Sequence, residues 1–318
     1  MHPADSATPS PAAPSADALA SAAGHLAGLA VPAGSLGRLG ELGVWLCGAQ
    51  GQVPPAPLDD VRLVVLAGDH GVAHHGVSTV PPQVTEALVR LMVSGRAGVN
   101  ALAAAHGVKV RVLDIGLDAD TTDLGDVAAH KVRRGSGAIH LEDALTAEQV
   151  AAALAVGRQV ARDDIEAGAQ LLITGDVGIG NTTPAAALVA AGVGLPAEEV
   201  TGRGTGIDDA TWQHKCELVA AALSRAGDRL EDPVETLAAV GSADLAATTG
   251  LMLEAASSGV PVLLDGLMAV ACALTAERIA PGSAAWFVAG TRSTEPGQAH
   301  ALKALGLEPL LDLSLRLG

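Results

Sequence analysis

The segment LLITGDVGIGNTT, residues 171–183, is the most informative part of this chain about its fold. An apolar run at 171–174 predicts a strand, the glycines that follow predict a tight turn, and the alanine-rich stretch 184–189 predicts a helix. A strand, a glycine turn and a helix N-terminus together direct free backbone N–H groups at an anion. Because no Gly-Lys-Ser/Thr follows, the turn is not a Walker loop. It therefore predicts a phosphate-bearing ligand without predicting NTP hydrolysis.

Polar side chains in this segment are suited to the same ligand. Asn181, Thr182 and Thr183 are residue types that cap helices, and we expect their side chains to add hydrogen bonds near the anion. Asp176 lies two residues before Gly178, so we predict that an acid and an anion site share one loop.

The same pattern recurs along the chain. Apolar runs that predict strands lie at residues 61–67, 108–115, 170–174, 260–264 and 285–289. Helical stretches, such as 84–93, 147–165 and 237–256, separate most of them. This alternation predicts an α/β fold, a Rossmann-like parallel sheet with helices on both faces.

Polar residues lie at or shortly after the end of each predicted strand. They are Asp69, Asp114, Asp176, Asp265 and Ser293. Ligands of open α/β sheets bind at the carboxyl ends of the strands, so we expect all five ends to contribute to one pocket. For Asp114 and Asp265, a purely structural role as a turn or capping residue is an equally good interpretation.

Composition excludes several classes of partner. The formal net charge is −16, from 35 acidic and 19 basic side chains, and the chain has one Phe, three Trp and no Tyr. Neither a basic surface nor an aromatic platform for nucleic acid is predicted.

No apolar stretch reaches membrane-spanning length, so we expect no membrane partner. Three widely spaced cysteines predict reduced thiols in a cytoplasmic protein.

No metal or cofactor is predicted. His70, His74 and His75 are zinc-ligand types, but Gly71 and Gly76 interrupt any helix that would align them on one face. Loop histidines beside a pocket are the better interpretation. Residues 1–17, rich in Ala, Pro and Ser, predict a disordered tail and lack the basic segment of a signal peptide.

Ordered blocks along the chain resemble the nicotinate-nucleotide–dimethylbenzimidazole phosphoribosyltransferase family, which makes α-ribazole phosphate for the lower ligand of cobalamin. The resemblance extends over about residues 26–318. Its blocks are PAGSLGRL (32–39), GDHGV (68–72), GVS (76–78), GDVGIGNTT (175–183), GRGTGIDD (202–209), VLLDG (262–266), RSTEPG (292–297) and LSLRLG (313–318).

The resemblance implies an architecture and a reaction. A Rossmann-like domain, residues 58–300, would be joined by a small helical domain built from 18–57 and the returning segment 301–318, in a homodimer. The 5-phosphoribosyl group would pass from nicotinate mononucleotide to 5,6-dimethylbenzimidazole. Asp176, where the family has a glutamate, would stabilise the positive charge that develops on the ribose.

The resemblance also implies binding residues. Those for the phosphoribosyl group are Gly178, Gly180, Asn181, Thr182, Thr183, Gly204, Lys215, Asp265 and Ser293. Those for the base are Ser78, Val80, Gln83 and Leu315, with Val80 where relatives often have an aromatic residue. On pattern alone, Lys215 would be a solvated lysine on a helix.

In the family, the Arg-Leu-Gly motif that ends at Gly318 is followed at once by a glutamate taken as the general base. The chain as given is therefore expected to bind its nucleotide but to turn over poorly. A non-catalytic binder of a nucleotide or benzimidazole is one alternative. An NAD-dependent oxidoreductase is another, although Gly68-Asp69-His70-Gly71 stands where GxGxxG would follow the first strand.

Overall fold

The computed structural model describes residues 9–315. Five strands form one sheet in the order β2-β1-β3-β4-β5, and every neighbouring pair is parallel. The strands are β1 (Val61–Gly68), β2 (Lys109–Gly116), β3 (Leu171–Val177), β4 (Val262–Leu264) and β5 (Phe287–Ala289). The α/β class and the parallel sheet predicted from the alternating pattern are confirmed.

Twelve α-helices lie within the described residues. They are α1 (Ala16–Ala27), α2 (Gly37–Gln50), α3 (Val84–Val93), α4 (Gly98–Ala105), α5 (Ala147–Glu166), α6 (Thr182–Val193), α7 (Ala197–Val200), α8 (Asp209–Ala226), α9 (Pro233–Val240), α10 (Ala243–Ser257), α11 (Leu267–Ile279) and α12 (Pro296–Leu305). Short 3-10 helices lie at Gly71–His75, Thr122–Ala128, Gly227–Glu231 and Ser283–Trp286. None of the helices in residues 9–315 has both the length and the apolar character needed to cross a bilayer.

Successive side chains of β1 pack into two different hydrophobic cores, one on each face of the sheet. Val64 and Leu66 pack in the larger core, together with residues of α5, α6, α10 and α11. Leu63 and Val65 point to the opposite face and pack near α3 and α4. Successive strand side chains point to opposite faces, so a continuous apolar run supplies both cores.

The predicted helix 237–256 is wrong as a single element. Gly241 and Ser242 divide it into α9 and α10, and the Ser242 side chain accepts a hydrogen bond from the backbone N–H of Leu245. Serine at this position competes with the helix backbone and starts a new helix. The break places Asp244 in the first turn of α10, under the end of β1.

Three strand boundaries differ from the prediction by two or more residues, among them the start of β4, which lies at Val262 rather than at residue 260. β3 continues to Val177, so Asp176 lies in the strand rather than in the loop. Residue 285 belongs to the 3-10 helix Ser283–Trp286, and β5 begins only at Phe287. In β3 the reason is pairing with β1, since Asp176 is in register with Leu66.

The predicted tail extends too far. α1 begins at Ala16, capped by Ser15, and the Trp286 side chain donates to the carbonyl of Ala12 at 2.9 Å. Residues 1–8 lie outside the described residues. Helix-capping chemistry and a tertiary hydrogen bond therefore order the end of this segment.

Helices α1 and α2 pack together beside the sheet. Trp45 of α2 donates to the carbonyl of Ala285 at 3.0 Å, and Arg38 pairs with Glu308 beyond α12. The N-terminal helices thus contact the C-terminal part of the described chain. Their status as a separate small domain, with boundaries at 57 and 301, stays a prediction.

Candidate active site

The glycine turn brings β3 against α6 and the end of β1. A Cβ atom on Gly178 would lie 2.1 Å from the carbonyl oxygen of Gly68 and 2.7 Å from Nε2 of His70, closer than side chains tolerate. Gly180 has φ +86°, in the left-handed region that favours glycine. Both glycines are therefore required by the local geometry.

Backbone donors of the turn are only partly engaged. Ile179 donates to Oγ1 of the buried Thr85 at 3.1 Å, whereas Asn181 and Thr183 donate to carbonyls inside the turn. Within residues 9–315, no acceptor is found for the backbone N–H groups of Gly180 and Thr182. These two donors at the start of α6 suit an anion.

The side chains of the turn do not cap α6 as expected. Asn181 donates through Nδ2 to Oδ1 of Asp176 instead. Thr182 accepts a hydrogen bond from Lys215, and the buried hydroxyl of Thr183 has no partner among the described residues. The Asn181–Asp176 contact links the anion turn directly to the carboxylate.

Lys215 of α8 is buried, not solvated. Its side chain crosses to the start of α6, where Nζ donates to Thr182 Oγ1 at 2.7 Å and to the carbonyl of Gly202 at 3.3 Å. Burial lowers the pKa of Lys215, and the nearby carboxylate of Glu295 opposes that shift. The charge of a buried lysine thus lies beside the free N–H groups of α6.

Glu295 is a site residue that the sequence prediction missed. Its Oε1 accepts from the backbone N–H of Gly204 at 2.8 Å, while Oε2 is inaccessible and has no partner within the part of the chain that is described. Ser293 Oγ in turn accepts from the N–H of Glu295 at 3.1 Å. The position of Glu295 within RSTEPG, directly before the helix-starting Pro296, was the available signal.

Asp176 differs electrostatically from the expected ionised carboxylate. Oδ2 is inaccessible and lacks a partner among the described residues. Burial raises the pKa of Asp176 well above its ordinary value, and the neighbouring carboxyl group of Asp244 raises it further. The acid therefore favours its protonated form more strongly than a loop aspartate would.

Asp244 was also missed as a neighbour of the site, whereas His70 was expected beside a pocket. Both are buried, and His70 Nε2 lies 3.8 Å from Asp244 Oδ2. The motif Gly241-Ser242-Ala243-Asp244 contains a helix-start signal that was available in the sequence, but the burial of Asp244 was not.

Two small adjoining cavities connect these groups. One of about 120 Å³ is lined by residues that include Thr182, Gly204, Ser293 and Leu315, and one of about 40 Å³ includes Asp176; Asp265 lines both. Burial raises the pKa of Asp265. A larger cavity of about 810 Å³ shares Gly204 and Glu295 with the first. Residues at the carboxyl ends of β3, β4 and β5 thus line one polar cleft.

The predicted base-binding residues are divided between two places. Ser78 Oγ accepts from the N–H of Val80 at 3.1 Å and lies 3.4 Å from the hydroxyl of Thr205, in the loop that lines the larger cavity. Gln83 precedes α3, whereas Leu315 lines the cavity of about 120 Å³ beside Ser293.

Comparison with known proteins shows the family of this chain. A family model described as phosphoribosyltransferase matches residues 12–318. The nicotinate-nucleotide–dimethylbenzimidazole phosphoribosyltransferase of Mycobacterium marinum is 51% identical over 306 residues, which are 96% of this chain and 85% of that protein. That of Mycobacterium tuberculosis is 50% identical over 305 residues, 96% of this chain and 84% of its own.

Solved structures of the same family share the fold. The crystal structure of CobT from Thermus thermophilus superposes with a TM-score of 0.90 at 43% identity, covering 95% of this chain and 90% of that one. The chain belongs to the nicotinate-nucleotide–dimethylbenzimidazole phosphoribosyltransferase family.

The expectation that all five strand ends form the pocket of this phosphoribosyltransferase is wrong for Asp114. Its oxygens accept hydrogen bonds from the Leu117 N–H at 2.8 Å, from the hydroxyl of Thr121 and from Lys131 Nζ at 3.0 Å. Because β2 is an edge strand beyond β1, its end lies away from β4 and β5. Asp114 therefore has the structural role that the sequence left open.

Proposed function

We propose that this chain transfers the 5-phosphoribosyl group from nicotinate mononucleotide to 5,6-dimethylbenzimidazole. The products are α-ribazole 5′-phosphate and nicotinate, a step in assembling the nucleotide loop of cobalamin. One observation carries the proposal: a buried lysine, the free N–H groups of a helix N-terminus and two carboxyl groups surround one cleft.

The phosphate binds at the start of α6. Backbone donors of Gly180 and Thr182 and the ammonium group of Lys215 converge there, and Ser293 lies at the same cavity. Charge-assisted hydrogen bonds from a lysine and a helix N-terminus are the usual means of holding a phosphate. Gly178, Asn181, Thr183 and Gly204 shape this site.

The ribose lies between Asp176 and Asp265. Nicotinate in the mononucleotide is a pyridinium, so it departs as a neutral ring and requires no general acid. Positive charge develops on the ribose as the C1′–N bond breaks, and negative charge on the flanking carboxyl groups stabilises it. The lining of the 40 Å³ cavity by both acids supports this role.

The benzimidazole attacks C1′ from the face opposite the departing nicotinate. Ser78, Val80 and Gln83 hold the base from one side, next to the loop of Thr205, and Leu315 holds it from the cavity beside Ser293. During attack, the second ring nitrogen must lose its proton to a carboxylate base. General-base catalysis of this kind raises the rate by about 10²–10⁴-fold. Fixing the phosphate keeps C1′ near the attacking nitrogen, which supplies the proximity contribution.

A direct assay tests the proposal. The purified protein is incubated with nicotinate mononucleotide and dimethylbenzimidazole, and α-ribazole phosphate is measured by mass spectrometry, with each substrate omitted in turn as a control. Product that requires both substrates supports the transfer. Tight calorimetric binding of the mononucleotide without product would favour the non-catalytic binder, and NAD reduction would favour the oxidoreductase.

The proposal includes a cytoplasmic homodimer. Exposed apolar side chains along α1, α2 and their connection support a covered surface; they are Leu29, Val31, Leu36 and Leu39. Cys47, Cys216 and Cys272 are buried free thiols, which suits a reducing compartment. Sedimentation velocity at micromolar concentration tests the dimer, and cell fractionation tests the compartment.

A further inference from the structure

Asp244 is an acid that has no role in the phosphoribosyl transfer proposed above. It is fully buried in the first turn of α10, and neither carboxyl oxygen has a hydrogen-bond donor among the described residues. An ionised carboxylate without donors is expensive to bury, whereas a protonated carboxyl that donates to a neighbour is not. A protonated Asp244 would therefore need a hydrogen-bond acceptor close to its carboxyl group.

Asp176 is that neighbour. It is in register with Leu66, and register neighbours in a parallel sheet point to the same face. Leu66 packs in the core that contains Leu245 and Ala246 of α10, so Asp176 points toward the start of that helix. A Cβ atom on Gly68, two residues beyond Leu66 in β1, would lie 2.2 Å from Asp244 Oδ1, so Asp244 lies against the same end of the sheet. Its carboxyl group is near enough to Asp176 to raise the pKa of that acid.

One proton can satisfy the unpartnered oxygens of both acids. Asp176 Oδ2 and the oxygens of Asp244 all lack donors within the described chain. A single proton placed between the two carboxyl groups makes one of them the donor and the other the acceptor. We propose that Asp244 is a positioning residue that shares one proton with Asp176, so that the pair presents a single negative charge to the cleft.

The electrostatics of the pair agree with the geometry. Burial and Asp244 raise the pKa of Asp176, as expected when two nearby carboxyl groups cannot both ionise. Other titratable groups face the pair from each neighbouring element: His70 after β1, Cys272 on α11 and Asp265 after β4. Burial and both acids raise the pKa of the Cys272 thiol, so it adds no opposing charge.

During the reaction, transfer of the shared proton lets the negative charge shift between the two carboxyl groups. As the ribose becomes positive, the shared proton moves from Asp176 to Asp244, and the negative charge concentrates on Asp176 beside the cleft. No bond other than the O–H bond changes, and the net charge of the pair stays constant. This consequence rests on the proposed function, whereas the shared proton does not.

Infrared spectroscopy at neutral pH tests the shared proton without turnover. The wild-type protein should give a protonated-carboxyl band that loses the intensity of one group in Asp244→Asn and also in Asp176→Asn. The exposed Asp126 provides the matched control, and Asp126→Asn should keep the band. Full intensity in the folded Asp244→Asn or Asp176→Asn protein would overturn the proposal.

Kinetics provide the second readout. In Asp244→Asn, Asp176 loses its acidic neighbour, so the acid limb of kcat for α-ribazole phosphate formation should move down by about one pH unit or more. KM for nicotinate mononucleotide should stay within about twofold, because the phosphate contacts lie elsewhere. An unmoved limb with a uniform loss of kcat would indicate only structural damage and would overturn the proposal. Absence of product from the wild-type protein would refute the proposed function, and the infrared result would still decide the shared proton.

Discussion

Lys215 and Thr182 are 33 residues apart in the chain and are joined by a 2.7 Å hydrogen bond from Nζ to Oγ1. The bond fixes a buried ammonium group at the first residue of α6, where unpaired N–H groups and the helix dipole already favour an anion. A phosphate held there would meet a positive charge that needs no reorganisation.

Lys215→Met should therefore weaken binding of nicotinate mononucleotide. Loss of a charge-assisted hydrogen bond costs about 1.5–3 kcal/mol, which is about 10–150-fold in Kd by calorimetry. Nicotinate riboside lacks the phosphate, so its affinity should not change. Lys303→Met, on the exposed part of α12, is the control variant. Equal losses for both ligands would place the phosphate away from Lys215.

Gly180→Val should raise KM for the mononucleotide by at least about tenfold. Its φ of +86° strains any side chain, and the new Cβ would lie 3.0 Å from Cβ of Ala73, at a cost of about 1–3 kcal/mol. Gly98→Val in α4 is the control, because a Cβ there meets nothing within 4 Å. An unchanged KM in a folded Gly180→Val protein would show that the turn does not hold the phosphate.

Glu295→Gln should change the pH dependence of phosphate binding. Glu295 opposes the lowering of the Lys215 pKa that burial causes, so its removal should lower that pKa further. The alkaline loss of mononucleotide affinity should then begin at a lower pH, while affinity at pH 6 should not fall. Calorimetry from pH 6 to 10 measures both effects. An alkaline limb identical to that of the wild type would refute the coupling.

Asp244→Asn should stabilise the protein at alkaline pH. The folded pKa of Asp176 is raised, so wild-type stability is present at low pH and is lost as pH rises through that pKa. Removing the acidic neighbour should raise the melting temperature at pH 9 by about 2–4 °C for each kcal/mol regained, with a smaller gain at pH 5. A larger gain at pH 5 than at pH 9 would contradict this sign.

Much of the fold and part of the site could be predicted from local sequence. The run before Gly175 predicts β3 because apolar residues fill both faces of a buried parallel strand. Gly178 and Gly180 predict the turn because only glycine suits their close contacts and positive φ. Asp265, directly after β4, was correctly expected at the carboxyl edge.

Helix boundaries near the site were less predictable. Residues 237–256 have helical composition throughout, and the local signal for the start of α10 is a single capping serine, Ser242. The extension of β3 through Asp176 depends instead on pairing with β1. Local propensity does not contain such pairings, because they join residues far apart in the chain.

Local sequence was sufficient for the parallel α/β class, the glycine turn and the family. These depend on residue type and spacing within short segments. Packing between distant elements was needed to show that Lys215 is buried against Thr182, that Asp114 has structural partners and that Asp244 lies near Asp176. Burial and charge proximity arise from packing between distant elements, and they set the ionisation of these groups. The electrostatic character of the site was therefore decided by packing.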